Sequence, residues 1–212
     1  MAIDIVEKLE WRYATKNFDA SKKLSEEKLN ILKETFNLTA TSYGLQPLKM
    51  VVVGNPNIQK ELMPFSMGQE QIGNASQVLV LCIESKIDTQ YIKDYFDLVE
   101  DTRSTPREIL DPFQKYLIDT FSEKSPAEIK VWMEKQAYLA LGNLLTVCAV
   151  EGIDACPIEG FEPKKYDDFL KLKEKGLESV LVLAVGYRAD DDMFSTFKKV
   201  RKGIDEVIIN IS

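Results

Sequence analysis

One stretch of the sequence, residues 128–151, has too few polar side chains for an ordinary surface helix. Its first half shows an apolar stripe at helical spacing, but from Ala137 onward only Gly142, Asn143 and Thr146 interrupt the apolar surface. A helix that is apolar on all sides must be covered on all sides. The stretch is too interrupted for a membrane span. The sequence leaves open a core helix of a large monomer and a helix partly buried between two subunits, and it favours the second.

The charge and the absence of histidine exclude several classes of function. With 34 acidic and 27 basic residues the formal net charge is -7, which argues against nucleic-acid binding. A chain with His 0 has no imidazole for a catalytic triad or for a metal ion. There is no Walker A loop, no G-x-G-x-x-G and no Cys-x-x-Cys pair, so we expect neither a nucleotide loop of those types nor a bound metal. An enzyme of this composition would depend on an organic cofactor.

The length and the cysteine content predict a single cytoplasmic domain. A chain of 212 residues can form one domain with a substantial core, and no linker or repeat divides residues 1–212. The N-terminal segment MAIDIVEKLEW lacks a basic region and an apolar run, so we expect no signal peptide. Cys82, Cys148 and Cys156 are too few for a disulfide framework. We therefore expect a cytoplasmic protein with no membrane contact.

Helical and strand-like patterns alternate along the chain, which predicts one domain layered from helices and strands. The predicted strands are Leu48–Val53, Val78–Ile83, Ser179–Gly186 and a C-terminal tail, Val207–Ile211. Helices are predicted over residues 3–11, 26–36, 56–63, 128–151 and 162–172, with two more between residues 88 and 123. Residues 39–46 form a predicted polar loop, and residues 153–161 a predicted tight connection.

Two basic clusters at opposite ends of the chain are unusual in an acidic protein. One contains Arg12 and Lys16, and the other contains Lys199 and Arg201. Either cluster alone is typical of solvated surface charge. Cations that folding brings together need an anion, and phosphate is a natural partner for arginine. The pair of clusters therefore indicates an anion site.

Several short motifs agree in order and spacing with one known family. They are Arg12–Lys16, Phe18–Leu24, Gln46-Pro47, Asn74–Ser76, Trp132–Asn143, Pro157–Phe161, Leu172–Gly176 and Lys199–Arg201. Over nearly its whole length the chain resembles the FMN-dependent nitroreductases, in particular the bacterial oxygen-insensitive NAD(P)H nitroreductase and dihydropteridine reductase branch. The resemblance implies an α+β fold of three layers, with a mixed central sheet between helices. It also implies an intertwined homodimer with two interfacial FMN sites and an exchanged C-terminal strand.

The resemblance implies roles for particular residues. Arg12, Lys199 and Arg201 are expected to hold the FMN phosphate. Lys16 is expected beside the N1–C2 carbonyl edge of the flavin, where its charge would favour the negatively charged reduced ring. The backbone N–H groups of Glu159 and Gly160 are expected at flavin N5 and O4. The cofactor-binding set is Arg12, Tyr13, Ala14, Lys16, Thr41, Ser42, Gly44, Gln71, Pro157, Ile158, Glu159, Gly160, Lys199 and Arg201, of which Lys16 and Glu159 are the expected catalytic residues.

Four positions depart from the family pattern. Ala14 stands where relatives often carry a serine that bonds the phosphate, and Gly44 replaces a common asparagine. Gly68 and Gln71 replace the usual asparagine and lysine, so Gln71 could hydrogen-bond the pyrimidine edge only without charge. FMN binding is still expected, while the reduction potential and the substrate preference stay open.

The implied reaction is a ping-pong cycle in which NADH or NADPH reduces FMN and a nitroaromatic, a quinone or a pterin then takes the electrons. The alternatives are a specialised flavin reductase or dehydrogenase of the same fold, and a flavin-binding dimer without turnover. The C-terminal segment Glu206–Ser212 is β-branched and apolar, so it must pair with a sheet. We expect it to add an edge strand to the partner's sheet, with pairing inside its own subunit as the alternative.

Overall fold

The structure, a computed structural model, describes residues 4–211. Within that range a four-stranded sheet, in the order β1-β2-β4-β3, lies between two layers of helices. The strands are β1 (Leu48–Val53), β2 (Gln77–Glu84), β3 (Asp154–Ile158) and β4 (Leu177–Gly186). The helices are α1 (Ile5–Trp11), α2 (Glu26–Asn37), α3 (Pro56–Leu62), α4 (Glu70–Asn74), α5 (Thr89–Arg103), α6 (Arg107–Ser122), α7 (Pro126–Val150), α8 (Pro163–Phe169) and α9 (Ile204–Val207).

The central strand β2 shows why the domain has three layers. Its inner residues are all buried, because helices cover both faces of the sheet. Leu79, Leu81 and Ile83 face a core shared with α2, α5, α6 and α7, while Val78, Val80 and Cys82 face a second core shared with α3, α4 and α8. The layered α+β fold expected from the sequence is confirmed. The three cysteines are also buried, one each in β2, α7 and β3.

Helix α7 is covered along one side only. It begins with a capping box in which Ser125 and Glu128 satisfy each other's backbone N–H groups. Ala137, Ala140 and Leu144 are fully buried against the sheet. The opposite side carries exposed apolar residues, since Val131 and Tyr138 are each 48% exposed and Leu139 is 54% exposed. Within residues 4–211 no helix has the length and apolarity needed to cross a bilayer.

One expectation about the sheet was wrong. The predicted connection at residues 153–161 contains the strand β3, which pairs antiparallel with β4 at the edge of the sheet. Pro157 is tolerated there because one side of an edge strand needs no ladder hydrogen bond. Within the described chain all neighbouring pairs of named strands are antiparallel, and the mixed sheet expected for an intertwined dimer stays a prediction. Within the described chain, Ala14 and Ala155 form an isolated parallel bridge.

The C-terminal tail differs from the predicted strand Val207–Ile211. Val207 ends the short helix α9, whose start is stabilised by a hydrogen bond from the Gly203 N–H to the Glu206 carboxylate (3.0 Å). Within the described chain the following residues pair with no strand, and Ile209 and Ile211 are 87% and 94% exposed. Strand exchange between subunits stays a prediction. Ile3, in the first predicted helix, and Ser212, in the tail, lie outside the described residues.

Replacing Gly186 with alanine is expected to destabilise the fold by about 1–3 kcal/mol, because the end of β4 has no room for a methyl group. A Cβ at this position would lie 3.0 Å from the backbone nitrogen of Ser76 and 3.1 Å from the ring of Phe18. Gly54→Ala is the matched control, since its Cβ would meet only the flexible end of Gln77. Urea unfolding of both variants measures the difference, and equal midpoints would contradict the prediction.

Candidate functional site

A cavity of about 530 Å³ opens beside the edge strand β3. Its walls come from the turn that follows α1, from α7 through Leu145 and Cys148, from β3, and from the segment 194–201. The volume lies within the range of roughly 300–1,000 Å³ that is usual for small-molecule sites. The two ends of the chain therefore meet at one pocket.

Five cations line this cavity: Arg12, Lys16, Lys198, Lys199 and Arg201. We call Arg12, Lys16, Lys199 and Arg201 the cation cluster. The Lys199 ammonium group donates hydrogen bonds to the carbonyl oxygens of Leu9 (2.8 Å) and Arg12. The pKa of Lys199 is lowered, first by burial and then by the positive charges of Arg12 and Arg201. Like charges held this close favour the binding of an anion among them.

Arg12 carries a second sign of an anion site. Its Nε is buried and has no hydrogen-bond partner among the described residues. Leaving a buried polar group unsatisfied costs about 1–3 kcal/mol. An anion between Arg12, Lys199 and Arg201 would satisfy the guanidinium and reduce the repulsion between the three cations. The residues present thus fit a phosphate-bearing group.

The turn that carries Arg12 and Lys16 is fixed to the sheet. The Thr15 N–H donates to the carbonyl oxygen of Ala155 (3.2 Å), next to the bridge between Ala14 and Ala155. Because side chains alternate along a strand, Ala155 and Pro157 line the cavity, whereas Ile158 packs into the core on the other face of the sheet and is 3% exposed. Of the expected pair Pro157-Ile158, only Pro157 presents its side chain to the pocket.

A stacked arginine supports two residues of the wall and was not anticipated from the sequence. The Arg188 guanidinium lies 4.4 Å from the ring centroid of Trp11 and 4.5 Å from that of Tyr13. Its Nε donates to Oδ1 of Asp154 (2.7 Å), which is 5% exposed. Arg188 is therefore already neutralised, and it supports the two aromatic rings instead of adding to the cation cluster. The available signal was a pair of opposite charges at one end of the antiparallel strands: Asp154 begins β3, and Arg188 follows the end of β4.

The other expected residues do not line the cavity of their own chain. Thr41, Ser42 and Gly44 belong to a loop that is fastened to α7, because the Ser42 N–H donates to Oε1 of the buried Gln136 (2.8 Å). Gly44 has φ +73 and lies directly against the Tyr95 ring, so a side chain would meet that ring. Gln71 lies in α4 and is not among the residues that line the cavity.

The turn after β3 is held from two sides. The Glu159 carboxylate accepts a hydrogen bond from the Tyr138 hydroxyl of α7 (2.6 Å), and this bond is the main cause that raises the pKa of Tyr138. The carbonyl oxygen of Gly160 accepts a hydrogen bond from Nε2 of Gln69 (2.9 Å). A Cβ on residue 160 would lie 3.3 Å from the Met67 sulfur, a close contact with a flexible side chain. Neither Glu159 nor Gly160 lines the cavity within one chain.

Comparison with known proteins identifies the relatives of this chain. A family model described as "Nitroreductase family" matches residues 9–187. YfkO of Bacillus subtilis (strain 168), whose name places it among the NAD(P)H nitroreductases, is 32% identical over 220 residues, covering 96% of each chain.

Solved structures share the fold. A nitroreductase-like protein from Streptococcus mutans superimposes with a TM-score of 0.86 at 21% identity, covering 99% of this chain and 98% of the other. A protein from Exiguobacterium sibiricum 255-15, described as a nitroreductase in complex with FMN, gives a TM-score of 0.84 at 22% identity, covering 100% of this chain and 99% of the other.

Proposed function

The chain belongs to the nitroreductase family, and on that premise we propose that it is an FMN-dependent oxidoreductase. The proposed reaction passes electrons from NADH or NADPH to a nitroaromatic, quinone or pterin acceptor in a ping-pong cycle. The FMN named for the Exiguobacterium protein and the NAD(P)H in the name of YfkO support the two cofactors. The acceptor class rests on the sequence resemblance.

The cation cluster is the observation that carries this proposal. Arg12, Lys199 and Arg201 would hold the phosphate of FMN, and the buried Nε of Arg12, which has no partner within the described chain, is a donor available for it. Lys16 lines the same cavity at a different position in the turn, so its charge can act on the ring while the other three cations bind the phosphate. Pro157 and the rings of Trp11 and Tyr13 supply apolar walls.

When bound, FMN supplies the hydride and electron chemistry that the side chains of this protein lack. The protein's own residues bind the phosphate, place a cation by the ring and line the cavity. Lys16 stabilises negative charge that develops on reduction, and it does so without reorganising at the moment of reaction. Glu159 and Gly160, held by Tyr138 and Gln69, are proposed to present their backbone N–H groups to the ring.

A homodimer would account for the features that one chain leaves open. The exposed apolar side of α7 would be covered by a second subunit. The loop with Thr41, Ser42 and Gly44, which does not line its own chain's cavity, would then reach the partner's site.

Strand β1 pairs with β2 on one side only within the described chain, and a groove of about 430 Å³ follows its other edge. We propose that the partner's C-terminal arm pairs there, which would make the sheet mixed.

Anaerobic reduction tests the proposed function directly. The purified protein is loaded with FMN, and loss of the yellow flavin absorption is followed after NADH or NADPH is added in the absence of oxygen. Bleaching followed by reoxidation with a nitroaromatic, a quinone or a pterin is the expected result. Bleaching with free flavin as the only effective acceptor would identify a flavin reductase. A protein that stays yellow would be a flavin-binding dimer, and a colourless protein would refute FMN binding.

Replacing Lys16 with methionine is expected to leave FMN bound but to lower its reduction potential by roughly 30 mV, which for two electrons corresponds to about 1.4 kcal/mol. Methionine keeps much of the side-chain stem and removes the charge that favours the reduced ring. Lys202→Met, which removes the same charge from an exposed position outside the cavity, is the control. Potentiometric titration of both proteins measures the difference, and equal potentials would remove Lys16 from the proposed mechanism.

A further inference from the structure

Asp192 is a buried carboxylate placed between the two halves of the cation cluster. It is 3% exposed and stands immediately before the turn Met193–Thr196, which leads to Lys199 and Arg201. Its Oδ2 accepts hydrogen bonds from the Tyr13 hydroxyl (2.9 Å) and from the backbone N–H groups of Lys16 (2.9 Å) and Asn17 (3.1 Å). Its Oδ1 accepts from the backbone N–H of Phe194 (3.0 Å).

The two oxygens therefore serve different ends of the chain. Oδ2 bonds the N-terminal turn, which carries Arg12 and Lys16, and Oδ1 bonds the turn that precedes Lys199 and Arg201. The backbone is already paired up to residue 189, because Asp19 donates to Tyr187 and Ala189 donates to Asn17. Asp192 extends that connection to the segment that enters the cavity.

The surroundings keep this carboxylate charged. Burial alone would raise its pKa, but the hydrogen bonds from the Lys16 and Asn17 backbones, from Tyr13 and from the Phe194 backbone outweigh burial and lower the pKa. In turn, burial and the hydrogen bond to Asp192 raise the pKa of Tyr13, so the phenol stays a donor. Losing any of the four hydrogen bonds would leave a buried carboxylate partly unsatisfied, which is costly in free energy. Asp192 therefore holds the two segments that it bonds in a fixed relative position.

We propose that Asp192 is a positioning residue for the cofactor phosphate, which holds the N-terminal and C-terminal cations at the spacing a phosphate requires. This inference rests on the proposed function, since it assigns the anion to FMN. Asp192 would not touch the phosphate, and its own negative charge opposes an anion. Its contribution is the geometry of the cations around it.

Asp192→Asn separates geometry from charge, because the two effects have opposite signs. An amide has one acceptor oxygen, so asparagine can bond one half of the cluster but not both. If positioning dominates, FMN affinity should fall roughly tenfold, as for the loss of a charge-assisted hydrogen bond. If Asp192 acts only as a counter-charge, its removal should tighten FMN binding.

The readout is the preference of the apoprotein for FMN over riboflavin, which has the same ring but no phosphate. Displaced cations should reduce this preference by roughly tenfold, whereas general loosening of the pocket would weaken both ligands equally and leave the ratio unchanged. Asp191→Asn is the matched control, since it makes the same charge change at an exposed neighbour whose side chain bonds only the Asn17 side chain within the described chain (2.6 Å). The control should keep the preference within about twofold, below the effect of one ordinary hydrogen bond.

Each outcome decides a different point. If wild-type protein binds FMN and Asp192→Asn keeps the wild-type preference or exceeds it, the positioning role is overturned. If wild-type protein binds no FMN at all, the proposed function fails, and the inference with it. Should Asp192→Asn not fold, Asp192→Ser takes its place, because serine can still cap the turn at Phe194 and is too short to bond Lys16 as well. An unchanged preference in a folded Asp192→Ser variant would equally overturn the proposal.

Discussion

Removing residues 204–212 should weaken the proposed dimer and release FMN in the same preparation. In a single chain the arm after α9 pairs with no described strand, and its isoleucines are exposed to solvent. Burying one isoleucine stabilises a protein by about 1.5–3 kcal/mol, and two arms would be exchanged. The dissociation constant of the dimer is therefore expected to rise by at least roughly a hundredfold. FMN should follow, because the segment that carries Lys199 and Arg201 leads directly into the arm.

Sedimentation velocity and flavin content measure the two effects on one sample. A full-length variant with Ile208, Ile209 and Ile211 replaced by serine should behave like the truncation, because it removes the apolar surface and keeps the chain length. Asn210→Ser lies on the same arm and should leave a yellow dimer. If the truncated protein is also a tight, fully yellow dimer, the arm does not support the interface.

Replacing Arg12 with alanine should weaken FMN binding by about 10- to 100-fold, equivalent to roughly 1.5–3 kcal/mol for one charge-assisted contact. The apoprotein should unfold at an unchanged or a higher temperature. Without an anion, Arg12 repels Lys199 and Arg201 and leaves its Nε unsatisfied, so alanine relieves both costs. Opposite effects on the apoprotein and on cofactor binding would mark a residue kept for its ligand.

Calorimetric titration with FMN and thermal unfolding without it are the measurements. Arg12→Lys should fall between wild type and alanine, because it keeps the charge and loses the fork-shaped contact. Lys202→Ala removes one positive charge outside the cavity and should bind FMN like wild type. Unchanged affinity in Arg12→Ala would place the phosphate elsewhere.

The sequence predicted those elements whose signal is local. Strand β2 was found because both of its faces are buried, which leaves an unbroken apolar run, and α7 because its apolar surface is too wide for one contact. Strand β3 was missed because it has five residues and contains Pro157, which is acceptable only at a sheet edge. The strand expected in the tail stays a prediction, because the conformation of the tail depends on what it pairs with.

The candidate site divides in the same way. Basic residues in an acidic chain, together with the family motifs, predicted the cation cluster. The sequence did not reveal the roles of Asp192, Arg188 and Asp154, because these roles depend on hydrogen bonds between residues far apart in the chain. Asp192 accepts from Lys16, and Asp154 accepts from Arg188. An aspartate in a run of three, Asp190–Asp192, reads as solvated charge until the fold shows that one of them is buried.

Because all three cysteines are buried, the rate at which each thiol reacts measures how often its own segment of the structure opens. Burial raises the pKa of Cys82 and Cys148 to about 12 and raises that of Cys156, so a thiol reagent reacts only when a segment opens. The rates therefore report separately on the centre of the sheet, on α7 and on the edge strand. Cys156 should react before Cys82, because an edge strand separates more readily than a central one. If an added ligand slows the reaction of Cys148 and Cys156 and leaves that of Cys82 unchanged, it binds on the side of the cavity.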